Sequence, residues 1–564
     1  MRRGLRWKIL HALEARALAI GRIVMRSRPV RWLASRTVVT WAVRVLTIGW
    51  NLVTRGVWRP LKRAFRRVRK FLGRHEVFPW LLTCAVCIGL GAAILQHMSL
   101  VRLAAGALAA CAFTMISFVS PPAGLVMWLL FSPFLNVLIR FHFLAGTPVV
   151  TGDKVCLVVL LLIYLVHARR ESKAEPNALL HIAMLVFLGA MCLSSFSAQG
   201  TPKRAIQVVL DSYGAPFLAY LLARRWITGR KELRWTFAVM LIVGVYFCAF
   251  AIPEHWTGRS LFTRSGRPAW IEEELGTVRV QGPAESPGEF GVVVATAMAL
   301  AVALLSSSRG AGRRFVYFSV IALCGTGVGL TLRRSVYVAA FLALIAMLLS
   351  SSRIRRNVAI LLAVGALVTL VSWPQLSTSK FYSERIVSVG PLYSRAVVQA
   401  TAWNIFKHHP VFGIGEGNFA DAVRQYLTPY KGLAVFHASQ LESPHSSYLR
   451  IMVEGGSVAF VPFVLVLVFM LSTSLRAYKR ARGPGLFGRD GIVIFWGISL
   501  GLLSQAASTD TFQYSHYLMD FWFFYFGALA GVHLQKGTQE TEEHKGVPAK
   551  LQASSSAGII RNEG

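Results

Sequence analysis

A histidine, an arginine and a glutamate lie close together in the string Pro444-His-Ser-Ser-Tyr-Leu-Arg-Ile-Met-Val-Glu-Gly-Gly456, where a long polar segment meets an apolar one. In a helix, Glu454 would lie about 13 Å deeper than His445. Arg450 and Glu454 are four residues apart and can pair on one helix face. This ion pair is the preferred explanation of Glu454, which would then have a structural role. For His445 two interpretations stay open: an interfacial surface histidine, or a functional group that exchanges protons.

Arginine, which binds phosphate and carboxylate groups well, recurs in three further strings. They are Arg279-Val-Gln-Gly-Pro-Ala-Glu-Ser-Pro287, Thr331-Leu-Arg-Arg-Ser-Val-Tyr337 with Arg333 and Arg334, and Tyr393-Ser-Arg395. The pair Arg333-Arg334 falls between two apolar stretches on the side predicted to face outward. This position breaks the positive-inside tendency and makes the pair informative. The alternative interpretation is a tolerated charge in a tight turn.

Several familiar signals of chemistry are absent from the sequence. Phe412-Gly-Ile-Gly-Glu-Gly-Asn418 is glycine-rich, but no strand–helix pattern frames it, so it predicts a tight turn rather than a nucleotide site. There is no phosphate loop of the Walker type, no His/Cys cluster at zinc spacing and no Asp/Glu-rich metal site in a predicted outer loop. The sequence therefore predicts neither a metal nor a cofactor.

The composition indicates a membrane protein. Hydrophobic residues make up 54% of the 564 positions and charged residues only 15%, whereas about a quarter of the residues in soluble proteins are charged. The mean hydropathy is +0.52. The apolar residues cluster in stretches of about 16–20, long enough to cross a hydrocarbon core of about 30 Å. The fold class that follows is an all-α polytopic membrane protein, and a soluble multidomain protein is not expected.

The hydropathy pattern predicts about 14 transmembrane helices in a bundle over residues 76–535, with a long extracytoplasmic loop before the twelfth. Their approximate cores are 77–95, 100–119, 122–139, 153–167, 178–195, 205–223, 235–252, 288–306, 315–331, 335–350, 357–373, 446–471, 491–508 and 518–534. The long loop covers 374–445, and a loop of that length is usually functional or forms a small subdomain. The polar tail 536–564 is predicted to be disordered in the cytoplasm.

Basic residues set the predicted orientation. Lys and Arg concentrate in alternate short loops, which places both termini in the cytoplasm and the long loop on the outer side of the membrane. Residues 1–75 carry 20 Lys/Arg and one acidic residue, Glu14, and predict amphipathic helices on anionic lipid at the cytoplasmic face; a solvated tail is the alternative. Topology and lipid thus explain the net charge of +36, and nucleic acid is not a predicted partner.

The order of these strings resembles the O-antigen ligase/O-antigen polymerase superfamily. In that family an arginine follows a short Thr/Ser turn. A long periplasmic loop then carries an arginine ahead of a Pro, Gly-x-Gly, Asn-Phe string, and a His, Leu, Glu, Gly string enters a span. Thr331–Arg334, Arg395, Pro410–Phe419 and His445–Gly456 match in that order, and Arg279 with Gly282 and Pro287 resembles the string before the family's conserved span. The resemblance covers residues 200–530.

The chain departs from the family pattern at several positions. Arg333 stands where a serine is usual, Ser335 where a glycine is common, and Ala459 where the family has a later glycine. Residues 1–75 have no counterpart in the family core. These departures leave the exact substrate open.

The resemblance implies a membrane glycosyltransferase that joins a glycan carried on undecaprenyl pyrophosphate to an acceptor hydroxyl outside the membrane. It makes His445 the candidate general base, or at least the group that orients the acceptor, and Arg334 and Arg395 the groups that bind the pyrophosphate. Arg279, Arg333 and Glu454 are the further candidates for substrate binding. The implied reaction is metal-independent, with arginines stabilising the departing pyrophosphate. The implied acceptor is another glycan or lipid-linked chain.

Alternatives remain open at this point. Polymerisation of exopolysaccharide or O-antigen repeat units is the preferred interpretation, with polysaccharide-export proteins as candidate partners, and ligation of O-antigen to lipid A-core is the alternative. A transporter or flippase of lipid-linked glycan should line its spans with charges. Asp211 is the chief charged residue within a span, and it either marks a path or pairs with a neighbouring helix. A membrane scaffold would explain residues 1–75 but not the outward arginines.

Overall fold

The computed structural model describes residues 99–138, 140–141, 150–168, 177–197, 202–260, 270–272, 277–378, 390–427 and 441–534. All of these residues belong to one compact unit. The predicted amphipathic segment 1–75, the first predicted span core 77–95 and the predicted tail 536–564 lie outside the described residues, as does part of the predicted loop 374–445.

Helices make up nearly all of the regular structure, because a chain inside a hydrocarbon core must satisfy its backbone groups within each segment. In chain order the helices are α1 (Ser99–Val119), α2 (Pro121–Leu138), α3 (Gly152–Ala168), α4 (Ala178–Ser194), α5 (Pro202–Val209), α6 (Ala215–Trp226), α7 (Arg230–Thr257), α8 (Pro287–Ser307), α9 (Ala311–Leu330), α10 (Arg334–Met347), α11 (Ser352–Ser377), α12 (Gly390–His408), α13 (Phe419–Tyr426), α14 (Ser447–Arg480), α15 (Arg489–Ser508), α16 (Thr511–Tyr514) and α17 (His516–Leu534). A π-helical turn, Leu210–Gly214, joins α5 to α6, and a 3₁₀ turn, Ser195–Ser197, follows α4.

Two short antiparallel strand pairs interrupt the helices. Strand β1 (Arg140–Phe141) pairs with β2 (Val150–Thr151), so that Arg140 lies opposite Thr151. Strand β3 (Trp270–Glu272) pairs with β4 (Thr277–Arg279), so that Trp270 lies opposite Arg279. The second pair places Arg279 at the end of a strand, shortly before α8 begins.

Seven helices in the described part of the chain are long and apolar enough to cross a membrane, which is consistent with the predicted all-α membrane class. They are Pro202–Trp226, Arg230–Thr257, Pro287–Ser307, Ala311–Leu330, Ser352–Gln375, Ser447–Arg480 and Arg489–Ser508. Several predicted span cores coincide with a helix, as 288–306 does with α8 and 491–508 with α15. The total of about 14 spans and the place of the long loop before the twelfth stay predictions.

Small residues let the central helices approach closely. A Cβ at Gly527 of α17 would lie 2.5 Å from the carbonyl oxygen of Tyr220 in α6, and one at Gly501 of α15 would lie 2.5 Å from that of Ala339 in α10. Close backbone packing of this kind associates helices in lipid, where burial of apolar surface alone gives little advantage. Helix α8 lies at the centre of the bundle and buries every residue from 287 to 303.

Helix α11 lies at the periphery, and its middle exposes apolar side chains on several sides. The exposed ones are Ile360, Val364, Leu367, Val368, Leu370 and Val371. Contiguous apolar exposure of this size would be unfavourable in water. It is the expected surface of a helix that faces lipid acyl chains.

The end of the bundle that contains the α10–α11 and α14–α15 turns is rich in basic residues. Asp490 ties these turns together, because it accepts the N–H of Ser351 at 2.8 Å and its hydroxyl at 2.7 Å. The basic residues at this end include Arg224, Arg225, Arg230, Lys231, Arg313, Arg314, Arg353, Arg355, Arg356, Arg480 and Arg489. The predicted orientation assigns this end to the cytoplasm.

Helix α14 is interrupted at Gly456, whose φ of 65° and ψ of −169° lie outside the helical region. Such an interruption leaves backbone groups without helical partners. Segment 410–415 supplies partners on both sides of the break, through backbone hydrogen bonds of 2.9–3.1 Å. These bonds run from Ile414 N to Val453 O, from Gly415 N to Glu454 O, from Ser457 N to Pro410 O and from Val458 N to Val411 O. The glycine-rich string is a tight turn, as predicted, and it packs directly on the helix break.

Gly456→Ala is expected to destabilise the folded protein by about 2 kcal/mol, because this backbone conformation is essentially restricted to glycine. The added Cβ would also lie 2.1 Å from the carbonyl oxygen of Val411. Gly365→Ala in α11 is the matched control, since nothing lies within 4 Å of its Cβ position. Thermal unfolding of the purified protein should show a lower midpoint for Gly456→Ala alone, and equal midpoints for the two variants would contradict this account of the break.

Candidate functional site

The backbone at His445 is held in an unusual conformation just before α14. Its φ of 51° lies in the left-handed region, which residues other than glycine seldom adopt. Ser443 Oγ accepts the His445 N–H at 3.1 Å, and the Gln399 side chain donates to the His445 carbonyl at 3.4 Å. The Asp510 carboxylate faces the N–H groups of His445 and Ser446. A backbone in this region persists only where its surroundings over-determine it, and such residues cluster at functional sites.

The turn between α15 and α16 fastens the start of α14. Ser447 donates both its N–H and its hydroxyl to the carbonyl of Thr509, at 3.3 and 3.0 Å. The Ser447 hydroxyl in turn accepts the N–H of Phe512 at 3.1 Å. Because Asp510 lies in the same turn, one short segment fixes the backbone on both sides of Ser446.

Arg333 precedes α10 and is the N-cap of that helix, directly after Leu332, whose φ is 49°. Its guanidinium packs on the backbone of α8, where a Cβ at Gly288 would lie 2.5 Å from Arg333 Nη1. Burial, Arg279 and Arg395 together lower the pKa of Arg333 to about 10. Within the described part of the chain Arg333 has no carboxylate partner, so this partly buried cation faces like charges.

Arg395 on α12 belongs to the same group of cations. Burial lowers its pKa, as do Arg279 and Arg334, while Asp510 acts in the opposite direction. The pKa of the His445 imidazole is lowered to about 4 by burial and by the charges of Arg395 and Arg333. His445 is therefore neutral at physiological pH.

Five of the six predicted site residues thus share one electrostatic neighbourhood. Arg279 comes from the end of β4, Arg333 and Arg334 from the α9–α10 turn, Arg395 from α12, and His445 from the segment before α14. Arg334 is the exposed member of its pair, and Arg333 is partly buried. The roles predicted for these residues stay predictions.

Glu454, the sixth predicted site residue, lies inside α14. It is fully buried, and Arg450 Nε donates to its Oε2 at 3.1 Å. The pairing predicted from their spacing is confirmed. Arg450 also donates to the Tyr514 hydroxyl at 2.9 Å, and its guanidinium lies 5.0 Å from the centre of that ring. The part of Glu454 in substrate binding stays a prediction.

Sequence reasoning missed Asp510 and Glu416, which the fold places next to His445 and Glu454. Asp510 lies in the polar run Ser508-Thr-Asp-Thr511, directly after α15. A carboxylate at the end of an apolar helix was a detectable signal, but its partners lie more than sixty positions away. Glu416 lies within the glycine-rich string. The glycines of that string indicate a turn, and they give no signal for a role of the carboxyl group.

A second polar group, of which the sequence indicated only Asp211, lies where α3, α17 and the π-helical turn meet. Lys154 Nζ lies 3.4 Å from Asp153 and 3.9 Å from Asp211. His516 Nδ1 lies 2.8 Å from Glu285 Oε2. Of the two interpretations of Asp211, pairing with a neighbouring helix is the one that the structure shows. The π-helical turn, a feature often found at functional sites, carries Asp211.

The arginine group is suited to a polyvalent anion. Guanidinium groups bind phosphate through paired N–H donors, and a partly buried cation without a carboxylate partner is stabilised when an anion arrives. A neutral histidine beside such a group can accept a proton. No group of three or more His, Cys, Asp or Glu side chains that could hold a metal ion occurs among the described residues.

Comparison with known proteins bears on this group directly. A family model described as O-antigen ligase matches residues 318–464. This range runs from within α9 into α14 and includes Arg333, Arg334, Arg395 and His445. The match confirms the resemblance to the O-antigen ligase/O-antigen polymerase superfamily and supports a membrane function of that kind. A search of the curated proteins found no match.

Arg333→Gln is expected to weaken the binding of inorganic pyrophosphate by about tenfold or more, because hydrogen bonds to charged groups contribute about 1.5–3 kcal/mol. Its thermal midpoint without ligand should not fall, since the substitution removes a repelled charge. Titration calorimetry on the purified protein measures the affinity, and Arg309→Gln, an exposed arginine in the α8–α9 turn, is the control. Equal affinities in both variants would contradict an anion site at Arg333.

Proposed function

We propose that this member of the O-antigen ligase/O-antigen polymerase superfamily joins a glycan carried on undecaprenyl pyrophosphate to an acceptor hydroxyl at the outer face of the bacterial inner membrane. The preferred reaction is polymerisation of exopolysaccharide or O-antigen repeat units. The observation that carries the proposal is Arg333, which lies among other arginines and beside a neutral His445 without a carboxylate partner in the described part of the chain.

The arginine group accounts for recognition of the donor. A pyrophosphate diester is ionised on both phosphates at neutral pH, so it supplies negative charge that can pair with Arg333. Arg334 and Arg395 would bind the pyrophosphate with Arg279 and Arg333 as further cations. In a site of low dielectric constant these interactions grow stronger as charge develops on the leaving group. The arginines thereby favour cleavage of the sugar–pyrophosphate bond.

His445 would act as the general base. Its imidazole takes the proton of the acceptor hydroxyl as the hydroxyl oxygen bonds to the anomeric carbon of the donor sugar. The bond between that carbon and the pyrophosphate oxygen breaks, and the electron pair leaves with the lipid pyrophosphate. The imidazolium then returns its proton to solvent. The energy of the transfer comes from the sugar–pyrophosphate bond, so no nucleotide takes part in this step.

Donor binding would also tune the base. Burial and the charges of Arg395 and Arg333 lower the pKa of His445 to about 4, which makes the imidazole a weak base. A bound pyrophosphate offsets those positive charges. The pKa of His445 then rises towards neutrality, where a base is most effective at physiological pH. The base is thus strengthened only when the donor is present.

The outer location rests on the distribution of basic residues. The candidate residues lie at the bundle end that contains the α9–α10 and α15–α16 turns, and the basic turns lie at the opposite end. The positive-inside rule assigns the basic end to the cytoplasm.

The same geometry would serve ligation to lipid A-core, and the description of the matching family favours that second candidate. Both reactions use the same donor and the same base.

Alanine at His445 or at Arg334 is expected to abolish polymer formation without lowering the amount of protein in the membrane. Removal of the base, or of a cation that binds the leaving group, affects the chemical step and not the packed bundle. His408→Ala, an exposed histidine at the end of α12, is the control. Complementation of a deletion strain followed by glycan gels and immunoblots measures both quantities. Full activity in His445→Ala would remove the assigned base.

The pH profile should separate free enzyme from donor complex. Because His445 must be unprotonated to act, kcat/KM should fall as the pH drops through about 4, the pKa of His445 in the free enzyme. The acid limb of kcat should lie at higher pH, because the bound pyrophosphate raises the pKa. Initial rates with purified enzyme and lipid-linked donor measure both limbs. Coincident acid limbs would contradict the coupling of basicity to donor binding.

A further inference from the structure

We propose that Glu416 is a positioning residue, protonated at neutral pH, which fastens the glycine-rich turn to α14 and to the segment that holds His445. The part of this inference that concerns His445 rests on the proposed function. The protonation of Glu416 and its link between the turn and α14 are inferred from the contacts of Glu416 alone.

Glu416 lies at the junction of three elements. It is 2% exposed, and it follows Gly415, whose N–H donates to the carbonyl of Glu454 at 3.0 Å. Its Oε1 accepts a hydrogen bond from Nε2 of Gln513 on α16. Its carboxyl group is also within hydrogen-bonding range of the Glu454 carboxyl on α14. One side chain therefore connects the turn, the broken helix and the short helix α16.

Two carboxyl groups in contact require a proton between them. Glu416 Oε2 and Glu454 Oε1 are both buried, and neither has a donor in the described part of the chain. Ionised carboxylates accept hydrogen bonds and cannot donate them. A proton on Glu416 supplies the missing donor. Glu454 takes the negative charge, because Arg450 Nε already donates to it at 3.1 Å.

The surrounding charges favour this arrangement. Among the described residues that face Glu416, Arg450 is the cation, and the acidic groups are Glu454 on α14 and Asp510 in the α15–α16 turn. The hydroxyl of Tyr514 accepts a hydrogen bond from Arg450, and Tyr213 lies in the π-helical turn nearby. One arginine cannot balance three ionised carboxylates in a buried site. Burial and Glu454 accordingly raise the pKa of Glu416 well above its ordinary value.

The proton connects to His445 through α16. Gln513, which binds Glu416, lies three residues after Asp510, and Asp510 faces the N–H of His445. Loss of the proton would make the carboxylates of Glu416 and Glu454 repel each other. This repulsion would weaken the contacts that position the segment around His445. Because the pKa is raised in the folded state, the stabilisation is fully present below the ordinary pKa of glutamate, about 4.3, and is lost as pH rises through the raised value.

The test compares Glu416→Gln with the wild type and with Asp421→Asn, which changes an exposed carboxylate on α13. Glutamine donates to Glu454 and accepts from Gln513 at every pH, so it keeps both bonds without a titrating proton. Infrared spectra of the purified protein in nanodiscs should show a protonated-carboxyl band at neutral pH that only Glu416→Gln loses. An unchanged band in Glu416→Gln would overturn the proposal.

The pH dependence gives a second readout. The thermal midpoint of the wild type and of Asp421→Asn should fall at alkaline pH, and that of Glu416→Gln should fall less. If glycan transfer is measurable, Glu416→Gln should also stay active to higher pH than the wild type. Loss of the band with no transfer by the wild type would support the proton while removing the proposed function. Identical alkaline limbs of stability in the wild type and Glu416→Gln would overturn the proposal.

Discussion

Repulsion among Arg279, Arg333 and Arg395 is the constraint on which the organisation of this end of the bundle depends. Like charges brought together in a partly buried site cost free energy, and the described chain does not offset the charge of Arg333 with a carboxylate. The surrounding backbone must therefore hold the group together against this repulsion. The backbone is also strained in this region, at Leu332 and His445, where φ is positive.

The break in α14 provides much of that rigidity. A continuous helix would have no backbone groups to offer the glycine-rich turn, whereas the break at Gly456 exposes groups that the turn satisfies on both sides. The turn leads back to α12, which carries Arg395, and forward to α13. The α15–α16 turn holds the other end of the same segment through Ser447 and Asp510. Three cations from distant parts of the sequence are thus positioned relative to one short stretch of α14.

Much of this arrangement was predictable, because a hydrocarbon core imposes strong rules on sequence. Apolar stretches of spanning length predict helices, and those around α8 and α15 are where the hydropathy put them. Helical spacing predicts the Arg450–Glu454 pair, since both residues lie on one element. The order of the histidine and arginine strings indicated one shared site, and the fold brings five of the six residues together.

The rest depended on contacts between elements, which spacing does not encode. Asp510 is an isolated acid in the sequence, and its relation to His445 arises only where the start of α14 lies beside the end of α15. Glu416 was read as part of a turn, because the glycines beside it explain the local backbone and nothing local explains the carboxyl. Lys154 lies near Asp211 across more than fifty positions. An ion pair of that separation is invisible to a search for helical spacing.

Deletion of the gene, followed by analysis of surface and secreted polysaccharide together with the pool of lipid-linked oligosaccharide, tests the central claim most directly. We expect loss of long chains, with single repeat units accumulating on the lipid carrier or capping the lipid core. Polymer that accumulates on the carrier but is missing from the lipid core would identify the ligase reaction on the same donor. An unchanged glycan profile and an unchanged lipid-linked pool would contradict the claim that this arginine and histidine site transfers glycans.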